Sequence, residues 1–325
     1  MKMPTYDKLS LGKRAKELGF ARDSFEKMSR LTEILQYLNT QHDLRQLLAL
    51  KGGTAINLTI LNLPRLSVDI DFDFAMNIPR LEMIDARAMV TELLGRYMKS
   101  EGYSHSDKSK HRHALDSFVY SYTNAAGNLD NIKVEINYTL RCHILPIIEN
   151  KTQTDGIFNS FTVMTLSPIE IFASKIVALS DRAAARDLYD LYRAISSCMF
   201  TEPCLETLRK CAVFYLAVTG ELGVQEFSFN KLDKITENAI HTDLRQMIRT
   251  TERFDLSEAK DCVSAFLSKH LTLCDNDMSF LTQFSLGKYK PELLFDDLEI
   301  INRIEKHPMA LWRQQRIRDE QREPR

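Results

Sequence analysis

The chain has 325 residues, a formal net charge of −1, 44% apolar residues and 27% charged residues. This composition excludes a disordered or fibrous protein and predicts a helix-rich globular chain that is long enough for two domains. Because the net charge is close to zero, binding of a polyanion would require a local patch of cations.

No segment has the length and hydropathy of a secretory signal or a membrane span, since the longest apolar run, CAVFYLAV, is far too short. The six cysteines are scattered without a CxxC pair, which favours reduced thiols over a disulfide framework or a zinc site. The sequence therefore predicts a cytoplasmic protein without a membrane partner.

The N-terminal part is predicted to be helical almost as far as the glycine pair, Gly52 and Gly53. Apolar residues at helical spacing predict a helix over residues 22–49, with a short helical piece from Asp43 that leads into a brief strand. Thr54 is predicted to cap a further helix over AINLTI, so the glycine turn would lie at a helix N-terminus. Free backbone N–H groups and the helix dipole favour phosphate binding at such a turn.

The segment DIDFDF alternates acids with apolar residues. Asp69, Asp71 and Asp73 occupy alternate positions, so their carboxylates are predicted to project from one face of a strand. Carboxylates this close repel one another unless a cation neutralises them, and Mg²⁺ prefers carboxylate oxygens. Aspartate is disfavoured in strands, which favours a metal site over the alternative of a surface strand with solvated aspartates.

The chain continues with a helix predicted over residues 85–101 and with strands predicted over 117–123, 132–138 and 162–165. The dipeptide Gly127-Asn128 predicts a hairpin between the first two of these strands. Pro168 fits the first turn of the next helix, with Ser167 as its cap.

Helical patterns follow one another after Pro168, with no strong strand pattern apart from short fragments. The fold class is therefore predicted to be α+β, with a small mixed sheet in a domain over residues 1–166 and an all-helical domain over residues 167–325.

A further acid lies in the strand IKVEINY, where alternation places Lys133, Glu135 and Asn137 on one face. If this strand pairs beside DIDFDF, Glu135 faces the aspartates. Three carboxylates on neighbouring strands can hold two divalent ions for phosphoryl or nucleotidyl transfer. The pattern alone equally allows Glu135 to be a solvent-facing residue of a half-buried strand.

The helical part contains a second group of charged residues. Lys175 and Arg182 lie two turns apart on one helix stripe, and Asp187 and Asp190 lie near one face of the next helix. A lysine beside a triphosphate supplies positive charge to the leaving pyrophosphate. The alternatives are a solvated lysine and ordinary ion pairs on helix surfaces.

Two basic stretches are candidates for contact with RNA phosphates. They are a loop with Lys108, Lys110, His111, Arg112 and His113 and a C-terminal segment with Arg313, Arg316, Arg318, Arg322 and Arg325. Acids interleave with the arginines of the C-terminal segment, which favours a solvated helix there.

The order of these motifs resembles the polymerase β-like nucleotidyltransferase superfamily. More narrowly, LALKGGTAINL, RLSVDIDF, IKVEINY and IEIFASKIVALSDRAAARDLYDLY are similar to the AbiEii/AbiGii-type nucleotidyltransferase toxins of bacterial abortive-infection and toxin-antitoxin systems. The resemblance implies a polymerase β-like nucleotidyltransferase domain, followed by a helical domain that contributes a lysine and an aspartate to the site.

The resemblance also implies two sets of site residues. The set that binds the NTP comprises Gly52, Gly53, Thr54, Arg65, Ser67, Lys175, Arg182 and Asp187, with Arg65 bracing either the phosphates or the strand. The catalytic set comprises Asp69, Asp71, Glu135, Lys175 and Asp190, and its first three members are the metal ligands. Glu135 would serve as a ligand or as general base, either Asp187 or Asp190 would be the functional acid, and Asp73 would be a supporting acid.

The implied activity is the Mg²⁺- or Mn²⁺-dependent transfer of NMP from an NTP to an acceptor hydroxyl, at the 3′ end of tRNA. The implied outcome is blocked translation and growth arrest in antiviral defence, with a cognate antitoxin that neutralises the activity. The alternatives are a protein nucleotidyltransferase that modifies Ser, Thr or Tyr, a two-metal nuclease that uses the same acids, and a non-catalytic module that binds a nucleotide or a partner.

Overall fold

The computed structural model describes residues 6–221 and 226–322. The chain divides into a first unit of residues 1–141, 147–165 and 245–252 and a second unit of residues 142–146, 166–244 and 253–325. Within the described residues, the first unit contains a mixed β-sheet with helices and the second unit is helical, so the fold class is α+β as predicted. All six cysteines are free. In the described part of the chain, no helix combines the length and the apolar character that crossing a bilayer requires.

The helices of the first unit are α1 (Lys8–Leu18), α2 (Arg22–Thr40), α3 (His42–Leu47), α4 (Gly52–Ala55), which continues as a π-helical turn (Ile56–Ile60), and α5 (Arg80–Ser100). Its strands are β1 (Leu48–Lys51), β2 (Asp69–Phe74), β3 (Ser104–His105), β4 (Lys110–His111), β5 (Leu115–Thr123), β6 (Leu129–Asn137), β7 (Ile148–Lys151) and β8 (Thr162–Thr165). The second unit contains α6 (Pro168–Arg182), α7 (Ala185–Ser196), α8 (Glu202–Thr219), α9 (Glu237–Asp243), α10 (Leu256–His270), α11 (Asp275–Ser285), α12 (Leu298–Ile304) and α13 (Pro308–Arg322).

The described strands form one sheet in the order β3, β5, β6, β2, β1, β8, β7, with β4 also paired to β5. β2 pairs with β6 in parallel, and β1 pairs with β2 antiparallel. The hairpin of β5 and β6 that Gly127-Asn128 predicts is confirmed. The strands β3, β4 and β7 were not predicted, because each is short and consists mostly of polar or charged residues.

The two faces of this sheet differ in polarity because strand side chains alternate. Ile70 and Phe72 of β2 and Val134 and Ile136 of β6 are almost fully buried in the core. The alternate residues of β2 and β6, which include the predicted site acids, point to the opposite face. We call this second side the open face of the sheet.

The helix at the glycine turn begins three residues earlier than predicted, at Gly52 and not at Ala55. Lys51 is the N-cap residue of α4, so the prediction that Thr54 caps the helix is wrong. The buried Thr54 hydroxyl instead hydrogen-bonds to the Asp69 carbonyl and lies 2.7 Å from the Ser67 hydroxyl. It therefore ties α4 to the beginning of β2.

Two other predicted helices have different bounds, and one of them, predicted over residues 85–101, spans Arg80–Ser100. The helix predicted over residues 22–49 is interrupted at Gln41, and the chain becomes strand at Leu48. Pro168 lies in the first turn of α6 as predicted, but the Ser167 side chain makes no capping hydrogen bond.

A buried ion pair joins α2 to the β5–β6 hairpin. One carboxylate oxygen of Glu26 accepts hydrogen bonds of 2.8 and 3.0 Å from Arg30, and the other accepts the Ala125 N–H at 2.9 Å. The Arg30 guanidinium also lies over the rings of Tyr6 and Tyr122, at 4.1 and 4.3 Å from their centroids. Because Glu26 is fully buried, its charge is stabilised by these partners and not by water.

We predict that Glu26→Ala lowers the free energy of unfolding of the first unit by about 3 to 5 kcal/mol, because it leaves the buried Arg30 without this ionic partner. Glu17→Ala is the matched control, since Glu17 is half-exposed and pairs with Arg14 at 3.8 Å. The control should cost about 0 to 1 kcal/mol. Urea denaturation of the whole chain measures both changes, and equal losses would contradict the role assigned to Glu26.

Candidate functional site

The first glycine of the turn lies directly against Asp71. Gly52 has φ +66°, a conformation that side-chain-bearing residues rarely adopt. A Cβ atom at this position would lie 2.7 Å from the Asp71 carboxylate oxygen Oδ2. Both the backbone conformation and the close approach therefore require glycine, and the turn and the acid form one local unit.

The second glycine lies against a buried arginine. A Cβ atom at Gly53 would lie 2.6 Å from the Arg65 guanidinium nitrogen Nη2. Arg65 is only 2% exposed, and its Nη1 donates to the Leu66 carbonyl at 2.9 Å. Asn57 links the same groups, since its side-chain amide donates to the Gly53 carbonyl at 2.7 Å and accepts the Arg65 N–H at 3.3 Å. Arg65 was predicted to brace either the phosphates of the NTP or the strand, and these contacts with the backbone favour the second role.

The predicted acids lie side by side on the open face. β2 and β6 are parallel neighbours, and their register pairs Asp71 with Glu135, Asp69 with Lys133 and Asp73 with Asn137. Residues that pair laterally project from the same face of a sheet. The expectation that Glu135 faces the aspartates is therefore confirmed, and the Gly52 turn lies at the same position.

Two lysines accompany these acids. Lys51 Nζ lies 2.6 Å from Asp73 Oδ1, and Lys133 Nζ lies 2.8 Å from Glu135 Oε2. The sequence patterns assign no role to either lysine. The position of Lys133 on the face of Glu135 follows from the alternation of side chains in β6. The position of Lys51 on that face is visible only in the structure, where Lys51 of β1 pairs with Asp71 of β2.

The carboxyl group of Asp71 is unusually easy to protonate. Burial is the largest cause and raises the pKa of Asp71 to about 6. The charge of Lys51 lowers this pKa, whereas the charges of Asp69 and Glu135 raise it further, and Lys133 opposes them. A carboxylate that is desolvated and faces like charges is one that a bound cation would stabilise.

The donor atoms fit a hard divalent ion that is shared with a substrate. Among the described residues, no three His, Cys, Asp or Glu side chains are grouped closely enough to hold a metal by themselves. Mg²⁺ usually binds one or two carboxylates, several waters and substrate phosphates, without an all-protein cage. Asp69 and Asp71 supply two such carboxylates. Glu135 lies beside Asp71 in the sheet and is paired with Lys133.

The second unit contains the other predicted residues in one cluster. Lys175 of α6 is nearly buried, and its Nζ lies 2.9 Å from Asp187 Oδ1 and 3.0 Å from Asp190 Oδ2 of α7. Arg182 donates to Asp187 through Nε at 2.9 Å. Both candidate acids therefore contact Lys175, and both can orient it.

Asp187 remains ionised to low pH in this cluster. Burial alone would raise its pKa, but the charge of Lys175 and the hydrogen bond and charge of Arg182 outweigh burial and lower the pKa to about 2. Asp187 and Asp190 are at most 2% exposed, so their charges are balanced by cations and not by water.

The C-terminal basic segment has largely intramolecular partners. Arg313 is buried, and Arg316 pairs with Glu320 at 3.1 Å. Arg325 and the side chain of Arg322 lie outside the described residues. Of these arginines only Arg316 fits the predicted solvated helix, and the intramolecular contacts of the described arginines argue against a phosphate-binding surface.

Comparison with known proteins identifies the family. Residues 33–271 match the family model described as nucleotidyl transferase AbiEii toxin, type IV toxin-antitoxin system. The chain belongs to this family. The match spans most of the chain and includes both the β2–β6 acids and the Lys175 cluster.

The fold of this toxin is also found in a solved structure. MenT4, a nucleotidyltransferase toxin from Mycobacterium tuberculosis H37Rv, matches with a TM-score of 0.61 and 18% sequence identity. The match covers 93% of this chain and 98% of the MenT4 chain. A comparison with curated protein sequences gives no match.

We predict that Gly52→Ala abolishes the toxin's nucleotidyl transfer, because the new methyl group would displace the Asp71 carboxylate. The left-handed backbone should in addition cost about 1 to 2 kcal/mol of stability. Gly127→Ala is the matched control, since Gly127 has φ +86° but no atom within 4 Å of its added Cβ. Thermal denaturation and NTP-dependent labelling measure the two effects, and equal losses of activity would contradict the proposed contact.

Proposed function

We propose that the toxin is a metal-dependent enzyme of the cytoplasm that transfers NMP from an NTP to the 3′-terminal hydroxyl of tRNA. Such a transfer would block translation and arrest growth in defence against phage, until a cognate antitoxin neutralises the toxin. The observation that supports this proposal best is the lateral pairing of Asp71 with Glu135 beside the Gly52 turn. It combines paired acids with backbone N–H groups, which are the two components that nucleotidyl transfer needs.

The proposed reaction is a displacement at the α-phosphorus of the NTP. The acceptor hydroxyl oxygen bonds to this phosphorus, the bond to the bridging oxygen breaks, and pyrophosphate leaves with that electron pair. The Gly52 and Gly53 turn would hold the triphosphate through its backbone N–H groups, supported by Thr54, Arg65 and Ser67 beneath it.

The acids would have two roles. Asp69 and Asp71 would hold Mg²⁺ or Mn²⁺, which supplies charge neutralisation at the phosphates when bound. Glu135 would accept the hydroxyl proton or complete the metal site, with Lys133 fixing one of its two oxygens. Asp73 is paired with Lys51 and would support the strand and not the ion.

The helical unit would supply positive charge to the nucleotide. We assign Lys175 to the phosphates, with Asp187 and Asp190 as the acids that hold its ammonium group in place. Arg182 is largely exposed, and as the last residue of α6 it would add a second cation beside Asp187.

Labelling with NTPs that carry ³²P at the α-phosphate tests the proposed acceptor. Incubated with total cellular RNA and total protein, the toxin should label the tRNA fraction, with release of pyrophosphate, and a chelator should abolish the labelling. Label confined to protein would overturn the RNA acceptor, and shortening of RNA without NTP would indicate a nuclease.

Substitution of single acids tests the metal assignment. Asp69→Asn and Asp71→Asn should each lower the rate of transfer by at least about 10²-fold, whereas Asp73→Asn should cause a milder loss. An Asp69→Ala, Asp71→Ala variant that still arrests growth as the wild type does would show that transfer is not the cause of toxicity.

We predict that Lys175→Met lowers the rate of transfer by about 10² to 10³-fold, because it removes a cation from the proposed phosphate site. Lys210→Met is the matched control in the same unit, since Lys210 also bridges two acids, Glu206 at 3.0 Å and Asp296 at 2.9 Å. Initial rates and thermal denaturation of both variants should be compared. Equal losses of activity would assign Lys175 a structural role only.

A further inference from the structure

The row of paired residues that contains Asp71 and Glu135 continues to the edge of the sheet. Glu135 of β6 pairs with Ser117 of β5, and Ser117 pairs with Lys110 of β4. Laterally paired residues share a face, so Lys110 lies on the open face with the acids. Two strand spacings of about 4.8 Å separate β6 from β4, which puts Lys110 roughly 10 Å from Glu135.

A parallel row ends in a second cation. Asp73 pairs with Asn137, and Asn137 pairs with Leu115. Leu115 and Arg112 exchange backbone hydrogen bonds of 2.9 and 3.4 Å, which extends the pairing of β4 with β5 by one residue. Arg112 therefore follows Lys110 on the same face, two residues further along the chain.

The loop that contains these cations is held in a fixed conformation. The guanidinium group of Arg87 donates to the carbonyls of Arg112 at 2.8 Å and His113 at 3.2 Å, and to both oxygens of the buried Asp116. Asp116 also contacts His111 Nδ1 at 2.8 Å. These contacts satisfy the inward-facing groups of the loop and leave its cations at the surface.

The charges of the surface cations are not balanced by ion pairs in the described part of the chain. Lys108, Lys110 and Arg112 are exposed, and none of them forms an ion pair within residues 6–221 and 226–322. Asp107 is the one acid in the stretch from His105 to His113. In a chain of net charge −1, this is a local excess of positive charge beside the acids of the site.

From these observations we infer that β4 and its flanking loop form the binding surface for the acceptor's phosphate backbone. The inference rests on the proposed function, because it takes the acceptor to be an RNA with its 3′ end at Glu135. Lys110 and Arg112, with Lys108 in the preceding turn, contact the phosphates of the nucleotides that precede the terminal one.

This arrangement separates the binding of the two substrates. The triphosphate lies at the Gly52 turn, and the acceptor backbone lies on the side of Glu135 that faces the β4 edge. The acceptor hydroxyl is thereby directed to the carboxylate that is proposed to accept its proton. Phosphate contact of this kind recognises a polynucleotide end without reading its bases.

The test is a variant with Lys108→Gln, Lys110→Gln and Arg112→Gln, compared with wild type for binding of 5′-labelled deacylated tRNA. Its affinity should fall by roughly tenfold or more, and the slope of log affinity against log salt should decrease by about 2, because three phosphate contacts are lost. The affinity for NTP should remain unchanged. The matched control is Lys13→Gln, Arg14→Gln and Lys16→Gln, which removes three exposed cations from α1 and should bind tRNA as wild type does.

The outcomes distinguish this inference from the proposed function. If wild type labels tRNA but both triple variants bind tRNA as tightly as wild type does, the inference about β4 is overturned while the proposed function stands. If wild type neither binds nor labels tRNA and labels protein instead, both are overturned. Thermal denaturation of the variants checks that these surface changes leave the fold intact. The Lys110→Glu, Arg112→Glu variant should show a larger loss of tRNA affinity than the neutral substitutions, because it reverses the charge of both residues.

Discussion

The parallel register of β2 and β6 is the constraint on which the candidate site depends. A shift of one residue would move Glu135 to the buried face and bring Ile136 or Val134 beside Asp71. The apolar residues that alternate with the acids prevent such a shift, since it would expose them to water. The same side chains that form the core thus determine which carboxylates face one another.

Much of this arrangement could be predicted from the sequence. The alternation of acidic and apolar residues in DIDFDF and IKVEINY predicts two half-buried strands with their acids on one face. The glycine pair predicts the turn that precedes them. The pairing of the two strands is a long-range contact that alternation alone does not fix. The resemblance to a known family supplied that step, and it also supplied the interpretation of Lys175, which the pattern alone leaves as a solvated lysine.

Other parts of the site have no local signal. The N-cap at Lys51 depends on the conformation of Gly52, which in turn depends on the approach of Asp71. The role of Asn57 is visible only after the chain has folded back to Arg65. The strand β4 is two residues long and highly charged, so nothing in its sequence predicts a strand.

The charges of β4 have a consequence for the assembly of the chain. Within the described residues, β4 lies at the edge of the sheet, where unpaired backbone groups offer a template for another strand. The strand β4 is short, it contains the exposed Lys110, and Arg112 follows it. Pairing of two copies at this edge is disfavoured because it would place like charges opposite each other. The same cations therefore disfavour association of this sheet edge with a second copy of the chain.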